Sequence, residues 1–358
     1  MTKLDAPFPW FGGKRKVAVE VWRRFGAVDN YVEPFFGSGA VLLGRPESGH
    51  GNETINDLDG YVANFWRAVQ QDPDAVASWA DWPVNENDLH ARHVWLLQQR
   101  ETLQARLDGD ATFADAQIAG WWVWGMACWI GSGFCSGNGP WWINEDRQLV
   151  HLGNNGQGVN RQLVHLGDNG RGVNRQRGAG LLGWFEALSE RLRFVRVCSG
   201  DWSRVCGPSV TFKHGLTGVL LDPPYADTAK RQSDLYRKDS ESVAHAVREW
   251  AITNGENPLL RIALCGYEGE HEMPGDWAVY EWSAGDGFGG QAKERTGNGK
   301  RERIWFSPAC LSDMQPTLFD EVLSLVEGIV LARTQQQARH VTIYLRAEMS
   351  DSQAEKKA

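Results

Sequence analysis

Gly218-Val219-Leu220-Leu221-Asp222-Pro223-Pro224-Tyr225 runs an unbroken apolar segment into an acid, two prolines and an aromatic ring. An apolar run without polar alternation marks a strand buried on both faces, as at the centre of a parallel sheet covered by helices. Proline fixes φ and lacks an N–H, so Pro223 and Pro224 stop the strand and stiffen the corner. Pro223 also biases Asp222 toward extended geometry. The corner thus presents a carboxylate, a backbone carbonyl and the flat ring of Tyr225 at a strand's carboxyl end.

Working outward, residues 194–198, 219–222, 259–265, 277–282 and 303–306 read as strands, with shorter ones near Val32 and Ile55. Helical spacing lies between several of them. The pattern predicts an α/β fold, one mostly parallel sheet flanked by helices. In such sheets ligands meet outside the carboxyl ends of the strands. Residues 226–240 and 285–290 read as loops.

Asn30-Tyr31-Val32-Glu33-Pro34-Phe35-Phe36-Gly37-Ser38-Gly39-Ala40 reads as a strand, a glycine loop and a helix start. Gly37 and Gly39 permit positive φ and close backbone approach to a ligand. The third glycine of the dinucleotide fingerprint is not in place. About twenty residues on, Asn56-Asp57-Leu58-Asp59 ends a second short strand, where a carboxylate suits ribose hydroxyls. Leu58, Val62, Phe65, Trp66 and Val69 follow at helical spacing, so one of the two acids is also a helix N-cap. We favour Asp57 for ribose and Asp59 for the cap. Pro9-Trp10-Phe11-Gly12-Gly13-Lys14 precedes a helix with apolar Val17, Val21, Trp22 and Phe25. Glycines before a helix N-terminus suit an anionic group, and Lys14 adds a full charge. A solvated Lys14-Arg15-Lys16 arm is the other reading.

The corner at Asp222 suits an exocyclic amine of a nucleobase. Its nitrogen lone pair is delocalised into the ring and is a poor nucleophile. Acceptors at Asp222 and at a carbonyl of Pro223 or Pro224 would take its hydrogens, and stabilise charge as it develops. Tyr225 would stack on a base drawn out of the duplex.

In motif content and order the chain resembles the adenine-N6 DNA methyltransferases of the alpha group, the Dam-like class, in their phage and prophage versions. The matching motifs are Trp10-Phe11-Gly12-Gly13-Lys14, the Glu33-Pro34-Phe35 segment through Gly37 and Gly39, Asp57, and Asp222-Pro223-Pro224-Tyr225. The resemblance runs from residue 7 to about 310. It implies a Rossmann-like sheet of seven strands with one reversed near the end, and S-adenosyl-L-methionine as methyl donor. It implies that Trp10, Gly12, Gly13, Lys14 and Asp57 bind the donor, and that Glu33, Phe35, Gly37 and Gly39 shape its pocket. Asp222 would hold the target amine beside the donor, with Pro223, Pro224 and Tyr225 completing the catalytic corner. Asp201-Trp202 resembles the contact to the donor's adenine ring, and Asp201 reads equally as a turn residue after Gly200.

The chain has 358 residues, enough for about two domains. No apolar run approaches the ~20 residues of a membrane span, and no charged-then-apolar leader is evident, so a cytoplasmic location is expected. Six cysteines lack CxxC spacing, which reads as buried thiols without disulfides or metal. A net charge of -8 opposes DNA binding unless basic residues cluster. They do so at Arg147, Arg161, Arg171, Arg175 and Arg177, after the corner at Lys230, Arg231, Arg237 and Lys238, and at Lys293, Arg295, Lys300, Arg301 and Arg303.

The expected organisation is a first catalytic part over 1–59, a target-recognition domain inserted over 60–178, a second catalytic part over 179–311 and a helical tail over 312–358. In the insert, Val94, Leu97, Leu103 and Leu107 predict helix, and a tryptophan-rich span follows at Trp121, Trp122, Trp124, Trp129, Trp141 and Trp142. Residues 148–161 are then nearly copied by 162–175, with Asn154 becoming Asp168 and Gln157 becoming Arg171. Each copy reads as a short strand and a glycine turn. Its Gln, Asn and Arg residues suit base-edge contacts, so Arg161, Arg171 and Arg175, with Lys230 and Arg231, are the expected contacts to double-stranded DNA. A hairpin that merely packs is the other reading. In the tail, Gln315-Pro316-Thr317-Leu318-Phe319 resembles the short peptide that engages a replication sliding clamp, or else leads into a helix. Activity on cytosine N4 or RNA adenine, and a silent DNA-binding protein, are the alternative functions.

Overall fold

The computed structural model describes residues 4–10, 13–46, 51–129, 134–135, 141–143, 149–151, 172–175, 178–224, 234–282 and 302–312. The chain divides into two units, Met1–Cys310 and Leu311–Ala358, and every described element lies in the first.

After a 3₁₀ turn at Lys14–Lys16 come α1 (Ala18–Phe25), β1 (Asn30–Glu33), α2 (Ala40–Leu43), β2 (Asn52–Asp57), α3 (Gly60–Gln71), α4 (Pro73–Ala80), α5 (Glu86–Gly109) and α6 (Ala116–Cys128). A short pair, β3 (Trp141–Ile143) and β4 (Leu149–His151), precedes α7 (Ala179–Leu192), β5 (Val195–Ser199) and β6 (Thr217–Leu221). Then come α8 (Asp234–Asn254), β7 (Leu260–Tyr267), β8 (Ala278–Trp282) and β9 (Glu302–Phe306). The expected strands of the sheet are all present, to within one or two residues.

Seven strands form one sheet in the order β5-β2-β1-β6-β7-β9-β8. The first five are mutually parallel. β9 runs antiparallel to both β7 and β8, which is the expected reversed strand. The chain moves outward from β1 through β2 to β5, then returns to β6 on the other side of β1. That reversal opens a crevice at the carboxyl ends of β1 and β6. Central strands β1 and β6 are buried at every residue, which is why β6 reads as a continuous apolar run.

The helices start where side-chain oxygens satisfy exposed N–H groups. Asp59 accepts from the Tyr61 amide, so it caps α3 as expected. Asp72 caps α4 ahead of Pro73, Asn85 caps α5 and Asp115 caps α6. The apolar seam of α5 runs through Leu89, Leu96, Leu103 and Leu107. Val94 and Leu97 sit beside it, only partly buried. Residues of α4, α5 and α6 join the same buried cluster as α3, α7 and Tyr31 of β1. Trp66, Trp122 and Trp124 are among its largest fully buried side chains. Phe8 of the N-terminal segment packs edge-on against Trp122 and Phe65 in this cluster.

Three expectations change. Residues 234–240, read as loop, are the first turns of α8, whose later positions Val247 and Ala251 are buried. Arg303, counted in a basic patch, is buried and faces Glu268 at 3.2 Å and Glu281 at 3.6 Å, because β9 is an inner strand of the sheet. The strand of the first repeat copy, β4, pairs backward with Trp141–Ile143. The second copy ends in a 3₁₀ turn at Gly172–Arg175. There Val173 is buried, and a Cβ on Gly172 would lie 3.0 Å from the Pro7 carbonyl and 3.2 Å from Ala127. The end of the repeat is therefore anchored in the core. No helix among the described residues is long and apolar enough to cross a membrane.

Candidate active site

The loops after β1, β2 and β5 are stitched together at the sheet's carboxyl edge. The buried Asn56 amide donates to the carbonyls of Pro34 at 3.1 Å and Gly200 at 2.9 Å. Phe36 N–H bonds the Asn56 carbonyl, and Gly200 N–H bonds that of Asp57. Asp57 closes the glycine loop: its carboxylate accepts the Gly37 amide at 2.9 Å and the Asp59 amide at 2.9 Å. Each carboxylate oxygen retains acceptor capacity for a further hydroxyl.

Gly37 and Gly39 have φ of 50° and 69°, as the sequence predicts. A Cβ on Gly37 would fall 2.4 Å from Trp10 Nε1, so the indole occupies the place a side chain would need. Trp66 Nε1 donates to the Gly37 carbonyl at 2.9 Å from below. Gly37→Ala therefore meets both a disfavoured φ and a clash. It is expected to destabilise the fold by about 1–3 kcal/mol. Thermal unfolding checks this, and a wild-type midpoint would show that the loop tolerates the extra atom.

Lys14 stands at the centre of the crevice. Its Nζ lies 2.9 Å from Asp222 Oδ2 and 4.0 Å from Glu302 Oε2, and 5.7 Å from the centre of the Trp282 ring. Its side chain is 5% exposed and that of Asp222 21%. Lys14 is thus no solvated arm, although Arg15 and Lys16 beside it are exposed. Burial acts to lower the Lys14 pKa, but Asp222, with Cys265 and Glu302 behind it, holds it above the ordinary lysine value. Gly13 precedes only the short 3₁₀ turn, with its N–H on the Trp10 carbonyl. Pro223 is buried and Pro224 exposed.

Glu33, at the end of β1, is buried and accepts from Tyr31 Oη at 2.7 Å. Burial, then the charges of Asp222 and Asp57, push its carboxyl up to about 8. Burial and the neighbouring Asp59 push Asp57 up to about 7, and burial pushes Glu302 up to about 7 despite Lys14. A carboxyl whose folded pKa is raised binds protons more tightly in the native state. Its stabilisation is complete below the unfolded pKa, 4.5 for Glu33, and is lost as pH rises through the folded value. Stability should therefore fall between about pH 5 and 8, and Glu33→Gln should flatten the slope. Thermal midpoints at pH 5, 6.5 and 8 check this. Asp57 is partly exposed and weighs less.

Phe35 stacks near Trp202, with centroids 6.3 Å apart and planes at 26°. Asp201 caps the 3₁₀ turn Trp202–Val205 by accepting from the Ser203 amide. It also lines a cavity of about 800 Å³ with Leu58, Asp59, Gly200, Arg100 and Arg204. That cavity lies at the ends of β2 and β5, and neither Lys14 nor Asp222 lines it. Of the expected site, the structure joins Trp10, Gly37 and Asp57 in one run of contacts. Lys14 and Asp222 form another, with Glu33 close enough to both Asp222 and Asp57 to feel their charge. Asp201 stands slightly apart. Gly12, Tyr225, Arg161, Arg171, Lys230 and Arg231 lie outside the described residues, as does the side chain of Arg175, and so does the tail segment Gln315-Pro316-Thr317-Leu318-Phe319. Among the described residues no group of His, Cys, Asp and Glu is placed to hold a metal ion.

The glycine loop, the acid closing it and the lysine before α1 all fall in one recognisable segment. Residues 10–106 match the D12 class N6 adenine-specific DNA methyltransferase family. This bears out the resemblance read from the motifs. A stretch of 101 residues is also 27% identical to a protein of Escherichia phage P1 named DNA N-6-adenine-methyltransferase. The alignment covers 27% of this chain and 13% of that relative, so the chain matches a small part of the relative's length. The family match contains Trp10, Lys14, Glu33, Gly37 and Asp57 and ends well before Asp222.

Glu302 is the residue that sequence reading missed. It lies in a basic run and shows no motif. β9 is reversed, so its first residue, not its last, reaches the carboxyl edge, where it pairs in register with Tyr267 and Trp282. The expected strand at 303–306 stopped one residue short of it.

Proposed function

We propose that this protein is a site-specific DNA adenine-N6 methyltransferase that uses S-adenosyl-L-methionine and acts on a base turned out of the duplex. The observation that carries the reading is the Lys14–Asp222 pair at the carboxyl end of β6, beside a glycine loop closed by Asp57. Residues matched to the family and the corner outside the match thereby meet at one crevice.

The residues present suit such a donor. Asp222 offers negative charge to a cationic ligand, and a Glu302 oxygen near Lys14 is buried without a hydrogen-bond partner among the described residues. Asp57 offers acceptors for ribose hydroxyls, and the cavity lined by Leu58 and Asp201 a slot for a flat ring. When bound, the donor supplies an electrophilic methyl group on a positively charged sulfur. Asp222 and the carbonyl of Pro223 or Pro224 accept the hydrogens of the target amine, which lets its nitrogen pyramidalise and turn its lone pair toward the methyl group. The carboxylate also stabilises positive charge as it grows on that nitrogen, and is fixed in place beforehand by a proline corner. Tyr225 stacks on the everted base. Residues 60–178 are the proposed target-recognition segment, with Arg161, Arg171 and Arg175 of the repeat, and Lys230 and Arg231 after the corner, on DNA.

Incubation with donor carrying a labelled methyl group and double-stranded DNA, then identification of the modified base and its positions on a plasmid, tests the reading. N6-methyladenine within one short sequence is expected. Label on cytosine N4, on RNA alone, or on no nucleic acid overturns it.

A further inference from the structure

We infer that Glu302 is a positioning residue, a second carboxylate that draws the Lys14 ammonium off Asp222 when the site is filled. The inference rests on the proposed methyl transfer to adenine.

In the structure Asp222 is engaged by Lys14 at 2.9 Å. An ammonium so close withdraws electron density from the carboxylate that must accept an amine hydrogen. Simple loss of that ammonium to water is not open to Lys14, whose side chain is 5% exposed. A buried cation needs a partner of opposite charge within reach. Glu302 supplies one. Its Oε2 stands 4.0 Å from Nζ, about an ångström beyond hydrogen-bond distance. The same oxygen is buried and has no hydrogen-bond partner among the described residues. A buried carboxylate oxygen left unmatched is costly, so it marks an interaction completed in another state. Trp282, the register partner of Glu302, presents its ring 5.7 Å from Nζ, within range to attract the cation.

The groups facing Glu302 are Lys14 from the N-terminal turn, Asp222 from the end of β6, and Cys265 and Tyr267 from β7. Arg303 is engaged with Glu268 and Glu281 instead. Glu302 must be ionised to receive Lys14. With its carboxyl at about 7, transfer at saturating donor should rise with pH through neutrality. Glu33 and Asp57, also raised, belong to the donor pocket and should act on donor binding instead.

The test measures kcat at saturating donor and DNA from pH 5.5 to 9 for the wild type, Glu302→Gln and Glu302→Asp, with the donor KM alongside. For Glu302→Gln we expect kcat to fall about 10–100-fold, its rise near pH 7 to disappear, and the donor KM to change less than about threefold. Glu302→Asp should recover part of the rate and keep a pH-dependent limb. A Glu302→Gln enzyme with wild-type kcat and pH profile overturns the inference. So does a loss confined to KM, which would make Glu302 a donor-binding group. Should the variants fail to fold, a structure of the wild type with S-adenosylhomocysteine and DNA decides. Nζ nearer Glu302 than Asp222 is expected, and a retained 2.9 Å contact to Asp222 overturns it. A wild-type chain that methylates no adenine removes the proposed function itself, and this inference with it. An active wild type with an unaffected variant removes only the inference.

Discussion

Asp222→Asn is expected to lower methyl transfer by about 10²–10³-fold at saturating donor and DNA. The amide keeps the shape of the corner set by Pro223 and Pro224 but loses the full charge. It offers one acceptor and one donor where two acceptor oxygens stood, so charge growing on the target nitrogen meets a weaker partner. Lys14 loses its 2.9 Å contact, yet Glu302 remains at 4.0 Å. The fold should therefore persist, weakened by about 1–3 kcal/mol. Single-turnover transfer to DNA, with donor binding measured separately, distinguishes the roles. A wild-type rate in the variant would remove Asp222 from the chemistry.

Lys14→Met should have the next largest effect, and its sign with pH is informative. Methionine fills much of the lysine stem but leaves Asp222, Glu302 and Glu33 near one another without the Lys14 charge. Breaking a buried ion pair costs about 3–5 kcal/mol. That deficit should be largest at pH 8 and should shrink at pH 6, where Glu302, at about 7, and Glu33, at about 8, take up protons. Transfer should fall by about 10²-fold, since the cation that seats Asp222 before the site fills is gone. Thermal unfolding of both forms at the two pH values is the measurement. An equal deficit at both would show that the loss is one of packing, not charge.

How far the sequence foretold this arrangement depends on the element. Strand β6 was legible because burial on both faces leaves no polar alternation, as in Gly218-Val219-Leu220-Leu221. Positive φ at Gly37 and Gly39 and the cap at Asp59 were legible because each is a local demand that few residue types satisfy. The structural role of Asp57 was not legible. Its closure of the glycine loop through the Gly37 amide joins residues from different strands and leaves no local pattern. Glu302 was hidden for the same reason: only the reversal of β9 carries it to the carboxyl edge of the sheet. Arg303 shows the converse, a charge that looks exposed in a basic run and is buried by its sheet neighbours. The start of α8 was obscured because Asp234, Arg237, Lys238, Asp239 and Glu241 crowd its first turns with charge.

The contact between Trp10 and Gly37 has a practical corollary for anyone editing this chain. Phe8 is wedged into the helical core, and two positions later the Trp10 indole forms part of the crevice wall. Trimming the amino-terminal ten residues would unseat a keystone and strip the pocket in a single cut. Deletion at that end thus confounds folding with function, and only single-residue exchanges can tell them apart.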